Sequence, residues 1–285
     1  MKFYLEELSN YFSEIILLTN VKKLSEIEQN YLLQHKIQIR FYENEGMDFG
    51  MWYKAFAELQ VEDYYRIGLV NDSCILFKSL KPVFVMAEKS DADAYGMVLT
   101  GKFSTHLQSY FILLNKGAIL PTKDFFVNMG ILKSYKKIIF QYEIGLSQHL
   151  LKNNLKLDAF FDYSINKTQN PSYILAKELI KSGSPLIKKK LVNRNFTWGD
   201  YLTWMRNDID IDSRKYLRYI SENNKDEKLI NMKTVMAQLG SESSRSDIYL
   251  YRLTYFFYKI FYKVSFFRFL FHQSIKLKRL LLNGS

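Results

Sequence analysis

A single cysteine in 285 residues excludes an internal disulfide and any multi-cysteine metal cage, and suits a reducing cytosol. Prolines number four and glycines twelve, against 48% hydrophobic residues, so a disordered chain is excluded as well. The start, Met1-Lys2-Phe3-Tyr4-Leu5-Glu6-Glu7, carries acids where a secretory signal needs an apolar core, and no export is expected. No glycine spacing matches the dinucleotide fingerprint, so a nicotinamide cofactor is not supported. What is abundant is positive charge and aromatic rings: the net charge is +11, and aromatic residues make up 16% of the chain. Such a balance invites partners that carry phosphate, whether nucleic acid, anionic lipid or a nucleotide-linked substrate. The length allows one large domain, or one domain plus an appendage, around a sizeable core.

Arg66-Ile67-Gly68-Leu69-Val70-Asn71-Asp72-Ser73 organises the reading. Its apolar run predicts a buried strand that stops at three small polar residues, where an open α/β sheet binds ligands. Asp72, between an amide and a hydroxyl, offers hard oxygens to a divalent cation carrying phosphates. An Asx or Ser turn closing a strand has the same appearance. Upstream, Ser13 to Asn20 predicts a strand and its exit loop, Leu24 to His35 a helix, and Lys36 to Phe41 a second strand. Together they predict a β-α-β unit opening a doubly wound sheet. Glu43 to Gly50 then leads into a helix expected over Met51 to Leu59. Two glycines before a helix let backbone amides approach a diphosphate, and Asp48 can hold a ribose or base. An ordinary acidic helix start reads the same. After Asp72 a helical or irregular segment is expected, then strands over Tyr95–Leu99 and from Thr105 to Leu114. Phe125 to Met129 and Ser134 to Ile139 are expected as helix and connection, and a helix opens near Gln141 and runs to about Leu151. Asp91 and Asp93 also read as loop charges, His106 as a capping or core histidine, and Glu143 as an exposed helix residue. Lys188-Lys189-Lys190 reads as a solvated basic face.

Several of these clusters, taken in order, resemble the rhamnan synthesis protein F family of bacterial polysaccharide glycosyltransferases. The matching pieces are Asn44 to Gly50 (NEGMDFG), Val70 to Ser73 (VNDS), Asp91 to Gly96 (DADAYG), His106 to Phe111 (HLQSYF) and Tyr142 to Ser147 (YEIGLS). Asn170-Pro171 and Gly183 to Lys188 (GSPLIK) continue the match. Ala94 departs from the bulky residue usual there, and the stretch after Asp72 lacks the usual glycine-proline. The resemblance implies an α/β fold: a GT-A-like, Rossmann-type mixed sheet flanked by helices, with a helical C-terminal extension. It implies transfer, with inversion, of a sugar such as rhamnose from a dTDP or UDP donor to a growing glycan or lipid-linked glycan. Mn²⁺ or Mg²⁺ would be held by Asp72. Thr19, Asn44, Asp48, Gly50, Asn71 and Asp72 would bind the donor. Asp91, Tyr95, His106 and Gln108 would bind acceptor or sugar. Glu143 would be the general base, with Asp93 as the alternative. Trp52 and Tyr95 offer flat faces for a base or sugar ring, or belong to the core.

Residues 1–200 are expected to form the transferase domain and residues 201–285 a helical region. The tail, about 249–281, has no acid after Asp247, while Arg252, Lys259, Lys263, Arg268, Lys276, Lys278 and Arg279 punctuate its aromatics. Charges recur too often for a spanning helix of about twenty apolar residues. The pattern suits the surface of an anionic bilayer, which places the protein on the cytoplasmic face of the inner membrane. Packing on the domain, or in a homodimer, is the competing use of that tail. Two competing functions are a catalytically silent scaffold of a polysaccharide-assembly complex and a nucleic-acid binder. No nucleic-acid motif supports the second, so no nucleic-acid partner is expected.

Overall fold

The structure, a computed structural model, describes residues 2–21, 23–165, 170–192 and 213–222. The chain divides into two compact units, Met1–Lys189 with Arg218–Val235, and Lys190–Leu217 with Met236–Ser285. The first unit contains the helices and strands from Lys2 to Lys188. The tail assigned to the membrane lies outside the described residues.

The first unit is mixed α/β, a sheet flanked by helices. Helix α1 (Lys2–Leu8) precedes a β-α-β unit in which β1 (Ile16–Thr19) and β2 (Gln38–Phe41) pair in parallel around α2 (Glu26–Gln34). Ser25 and Glu28 form a reciprocal capping box that fixes the start of α2. The next helix, α3 (Met47–Glu58), begins four residues earlier than its apolar spacing suggests. Gly46 is its N-cap, with a left-handed φ of 76°, and Gly50 is inside its first turn.

Strand β3 (Arg66–Val70) runs into the Asn71-Asp72-Ser73 turn, and β4 (Cys74–Leu76) follows at once, where the sequence suggested helix or irregular chain. Helix α4 (Lys81–Lys89) leads to β5 (Ala94–Thr100). Buried Glu7 of α1 accepts from the Leu80 amide at 2.7 Å and from Ser79 Oγ at 2.6 Å, satisfying donors at the start of α4.

The expected strand from Thr105 to Leu114 is two strands. Short β6 (His106–Leu107) and β7 (Phe111–Asn115) pair with the same edge of β5, both antiparallel, and the chain breaks between them at Gln108-Ser109-Tyr110. The β-α-β unit does not open the main sheet, since β1 and β2 form a two-stranded sheet of their own. The main sheet is mixed, with the order β3-β7-β5 as antiparallel neighbours and β8 (Leu157–Tyr163) parallel to β5 on its other edge. Between β7 and β8 lie α5 (Lys116–Met129), whose Gly117 and Pro121 mask its start in the sequence, and α6 (Tyr135–Lys137). A π-helical turn, Ile138–Glu143, then joins α6 to α7 (Ile144–Lys152). After α8 (Pro171–Ile174) and α9 (Ala176–Lys181), β9 (Leu186–Lys188) pairs antiparallel with β4.

Strand β7 shows why both faces of the sheet are covered. Ile112 and Leu114 point into a core with Phe49, Trp52, Phe56, Phe125 and Tyr142. Phe111 and Leu113 point into another with Tyr4, Leu8, Val83, Phe84 and Leu179. A period of two with apolar residues at every position needs helices on both sides.

Candidate functional site

The site lies at the carboxyl end of β3, and each of its groups is placed by a main-chain constraint. Asn71 is anchored by its amide, which donates to the Tyr110 carbonyl at 3.3 Å. Its side-chain oxygen accepts from the amide and hydroxyl of Ser73, at 3.0 and 2.7 Å, closing an Asx turn. The bland reading of the Asn-Asp-Ser run is therefore correct as local structure. The turn is also where distant segments meet. Asn71 Nδ2 donates to Asp48 Oδ2 at 2.9 Å, joining the first turn of α3 to the end of β3.

Two lysines arrive from the opposite strand. The pairing of Cys74 with Lys188, and a 2.9 Å bond from the Lys189 amide to the Ser73 carbonyl, bring both residues to the turn. Lys188 Nζ donates to Ser73 Oγ at 3.0 Å and lies 4.1 Å from the centre of the Tyr110 ring. Lys189 Nζ pairs with Asp72 Oδ2 at 2.9 Å. Two residues of the basic run expected to be a solvated face, Lys188 and Lys189, are thus part of the site. They escaped the sequence reading, although Lys188 closes the GSPLIK segment that stood out there.

Asp48 is partly buried and feels these neighbours. Burial first, then the charge of Asp72, raise its carboxyl above the ordinary 3.8, against the lowering effect of the Asn71 bond and Lys188. A carboxyl raised on folding costs stability at every pH above its folded value and nothing below its unfolded value. Asp48→Asn keeps an oxygen that can accept from Asn71. It is therefore expected to unfold at higher urea than the natural chain at pH 7, with the advantage fading as the pH falls through the carboxylate range. An equal midpoint at both ends of that range would show that Asp48 carries no such cost.

The adjoining half of the site is built by the break between β6 and β7. Glu143, last residue of the π-helical turn, accepts on Oε2 from the Ser109 hydroxyl and from the Ser109 amide at 3.3 Å. Its other oxygen, Oε1, lies 3.7 Å from His106 Nε2. The Ser104 carbonyl, 2.8 Å from His106 Nδ1, can only accept, so Nδ1 carries a hydrogen, and Nε2 faces the glutamate. π-Helical turns often occur at functional sites. Here the turn ends on a carboxylate with one oxygen held and the other directed at an imidazole. Ser109 is the other group the sequence did not single out. Tyr110 joins the two halves: its carbonyl holds Asn71, its ring faces Lys188, and Ser109 precedes it.

The remaining expected residues are distributed as follows. Thr19 ends β1 beside Phe41, the last residue of β2, and exposed Asn44 lies in the loop that follows, at the carboxyl ends of this parallel pair. Gly50 is in place for a reason other than diphosphate approach, since a Cβ there would lie 1.7 Å from the Glu45 carbonyl oxygen. Gln108 is buried with both ends of its amide engaged by protein: its NH₂ donates to Asn170 Oδ1 at 2.8 Å, and its oxygen accepts from Ser172 Oγ. Asn170 and Ser172 thus hold Gln108 from the start of α8. Tyr95 and Trp52 are core residues, not open flat faces.

Asp91 and Asp93 are not brought to this cluster. Strand β5 runs in the same direction as β3, two antiparallel steps away, so its start lies beside the start of β3 and far from Asp72. Asp93 Oδ2 accepts from the Lys156 amide at 2.9 Å, and Asp91 pairs with the Lys156 ammonium. The alternative base is thus a turn-closing residue at the opposite end of the sheet.

Among the described residues no group of three or more His, Cys, Asp or Glu side chains is gathered as a metal cage, and no helix is long and apolar enough to cross a membrane. Asp48 and Asp72 nevertheless offer hard oxygens at the same turn, Asp48 brought there by its bond from Asn71, and the Asp72 charge helps to raise the Asp48 carboxyl. A hard divalent cation that keeps several waters needs no more than one or two carboxylates plus substrate phosphates.

Fold and site together define a mixed α/β protein with a polar, charge-balanced cluster at a strand end. The chain belongs to the rhamnan synthesis protein F family, whose model matches residues 15–263, and so to proteins of rhamnan polysaccharide synthesis. No curated protein matches it in sequence. Among solved structures it is similar to the crystal structure of HddC from Yersinia pseudotuberculosis, at 14% identity and a TM-score of 0.34, over 56% of this chain and 75% of that one.

Proposed function

We propose that this chain is an inverting glycosyltransferase of the GT-A type. It moves a sugar, rhamnose by the family's name, from a dTDP or UDP donor to a growing surface polysaccharide. The observation that carries the reading is the convergence of NEGMDFG, VNDS and GSPLIKK at one strand end, beside the carboxylate held by HLQSYF. Asp48 and Asp72 would hold Mn²⁺ or Mg²⁺, which when bound supplies charge neutralisation to the departing nucleoside diphosphate. Lys188, fixed by Ser73 and Tyr110, adds positive charge to the same side. Thr19 and Asn44 bind the nucleoside at the ends of β1 and β2. Glu143 Oε1 removes the proton from the attacking acceptor hydroxyl, and His106 lines the acceptor side next to it. The acceptor is a glycan, free or lipid-linked.

The test is a thermal-shift screen of the full chain over nucleoside diphosphates with Mn²⁺ or Mg²⁺, followed by donor hydrolysis. A ligand at 100 times its Kd stabilises the native state by about 2.7 kcal/mol. For a chain of this size that corresponds to a rise in melting temperature of roughly 5–10 °C. Asp72→Asn should abolish both the shift and turnover while its own melting temperature stays close to that of the natural chain. If no nucleoside diphosphate shifts the melt and no donor is hydrolysed, the reading gives way to a silent scaffold.

We also propose that the tail of about residues 249–281 attaches the enzyme to the cytoplasmic face of an anionic membrane, where a lipid-linked acceptor is presented. Each basic side chain near such a surface contributes about 1 kcal/mol. Truncation after Asp247 should end sedimentation with anionic liposomes and spare activity on a short soluble acceptor. A truncation that unfolds, or that turns a dimer into a monomer without any liposome effect, assigns the tail to protein packing.

A further inference from the structure

The two lysines at the Asn71-Asp72-Ser73 turn are held very differently. Lys188 is fixed by two contacts, the Ser73 hydroxyl at 3.0 Å and the Tyr110 ring at 4.1 Å. The Lys189 backbone is pinned by its amide bond to the Ser73 carbonyl, but its ammonium has one described partner, the largely exposed Asp72 carboxylate at 2.9 Å. A single half-exposed lysine–carboxylate pair is weakly held and exchanges readily. In this arrangement two ammonium groups balance two carboxylates. A nucleoside-diphosphate sugar brings two further negative charges, and a divalent cation bound to the carboxylates brings two positive ones. These charges sum to zero wherever Lys189 lies, but a cation and an ammonium held on the one Asp72 carboxylate repel each other at close range, while the diphosphate would be left without that ammonium.

We infer that Lys189 is a transferable counter-ion, pairing with Asp72 in the ligand-free site and moving to the donor's diphosphate when a divalent cation takes the aspartate. The inference rests on the nucleotide-sugar reading above and adds a residue to it. Lys189 starts from a pinned backbone and has a long, flexible stem. The group can therefore swing between two acceptors on the same side of the turn while its Cα stays in place. The exchange makes cation and lysine competitors in the absence of nucleotide and allies in its presence.

That reversal of sign is the test, made on the full chain by calorimetric titration. In Lys189→Gln, Mn²⁺ alone is expected to bind about three- to tenfold more tightly, because a positive charge 2.9 Å from the carboxylate is gone. In saturating Mn²⁺, dTDP and UDP, each used as a probe, are expected to bind about tenfold more weakly, since one phosphate contact is missing. Lys189→Arg should restore both values towards the natural chain. If Lys189→Gln leaves both affinities unchanged, or weakens both, Lys189 is a fixed structural counter-ion and the inference is overturned. If the natural chain binds neither dTDP nor UDP at any Mn²⁺ concentration, the nucleotide-sugar reading itself fails, and that result is distinct from an unresponsive lysine. Unchanged circular dichroism and melting temperature in both variants keep misfolding out of the comparison.

Discussion

Glu143→Gln is expected to slow sugar transfer by about 10²–10⁴-fold, the usual range for loss of a general base, while binding of nucleoside diphosphate stays unchanged. The geometry makes the substitution clean. Oε2 of Glu143 accepts both bonds from Ser109, and a glutamine oxygen can keep both. The other position, which faces His106 Nε2 at 3.7 Å, would become an NH₂ group that cannot take a proton. Shape and anchoring are kept, and basicity is lost. Donor binding is spared because the retained Ser109 bonds leave Tyr110, which holds Asn71 and faces Lys188, in place, and Asp48, Asp72 and Lys189 make none of these bonds. Single-turnover transfer to a glycan acceptor, beside a calorimetric titration of nucleotide, separates the two effects. A mutant that binds donor and transfers at the natural rate would remove Glu143 from the chemistry. Asp93 would not inherit the role, since it closes a turn at the opposite end of the sheet.

How much of this was legible in the sequence depended on whether the signal was local. The β-α-β start was readable because strand, helix and strand each carry their own periodicity, and β1 and β2 do pair in parallel. The Asn71-Asp72-Ser73 turn was readable because a buried strand ending in three small polar residues is a local event. The direction of the later strands was not. Asp91-Ala92-Asp93 has the look of a metal or sugar motif, but its position is set by β5 running alongside β3, two antiparallel pairings away. Lys188 and Lys189 failed for a related reason. Their role comes from the register of β9 on β4, which pairs Cys74 with Lys188 across the greater part of the unit. Gln108 showed the reverse error. A polar residue in an apolar strand suggested a ligand contact, while its partners Asn170 and Ser172, far along the chain, bury it. A polar side chain advertises that it needs a partner, and only the tertiary structure says whether that partner is protein or substrate.

Gly50→Ala is expected to cost about 3 kcal/mol of stability or more, and to take nucleotide binding with it. Gly50 was expected to let a phosphate approach the backbone. It is instead approached by the protein's own backbone. An alanine Cβ would fall 1.7 Å from the Glu45 carbonyl oxygen and 2.7 Å from its carbon, far inside van der Waals contact. Neither atom belongs to a side chain that could swing away. The carbonyl is fixed by its place immediately before Gly46, whose φ of 76° and amide-accepting oxygen, 3.0 Å from Gly50 N, start α3. Glu45 is held further by Lys54 and Lys133, each 3.4 Å from its carboxylate. Relief must therefore come from moving the loop or the first turn of α3, and Asp48 sits in that turn. Its 2.9 Å bond from Asn71 ties the helix to the end of β3, so a shifted turn separates the two carboxylates of the site. Urea unfolding should show a lower midpoint with little change in slope, and nucleotide with Mn²⁺ should no longer raise the melting temperature. Gly46→Ala is the informative companion. Its Cβ contacts are 3.1 Å at the nearest, so its cost is mainly that of a left-handed alanine, about 1–2 kcal/mol. If Gly50→Ala proved no more damaging than Gly46→Ala, the close approach of the Glu45 carbonyl would not be what requires glycine there.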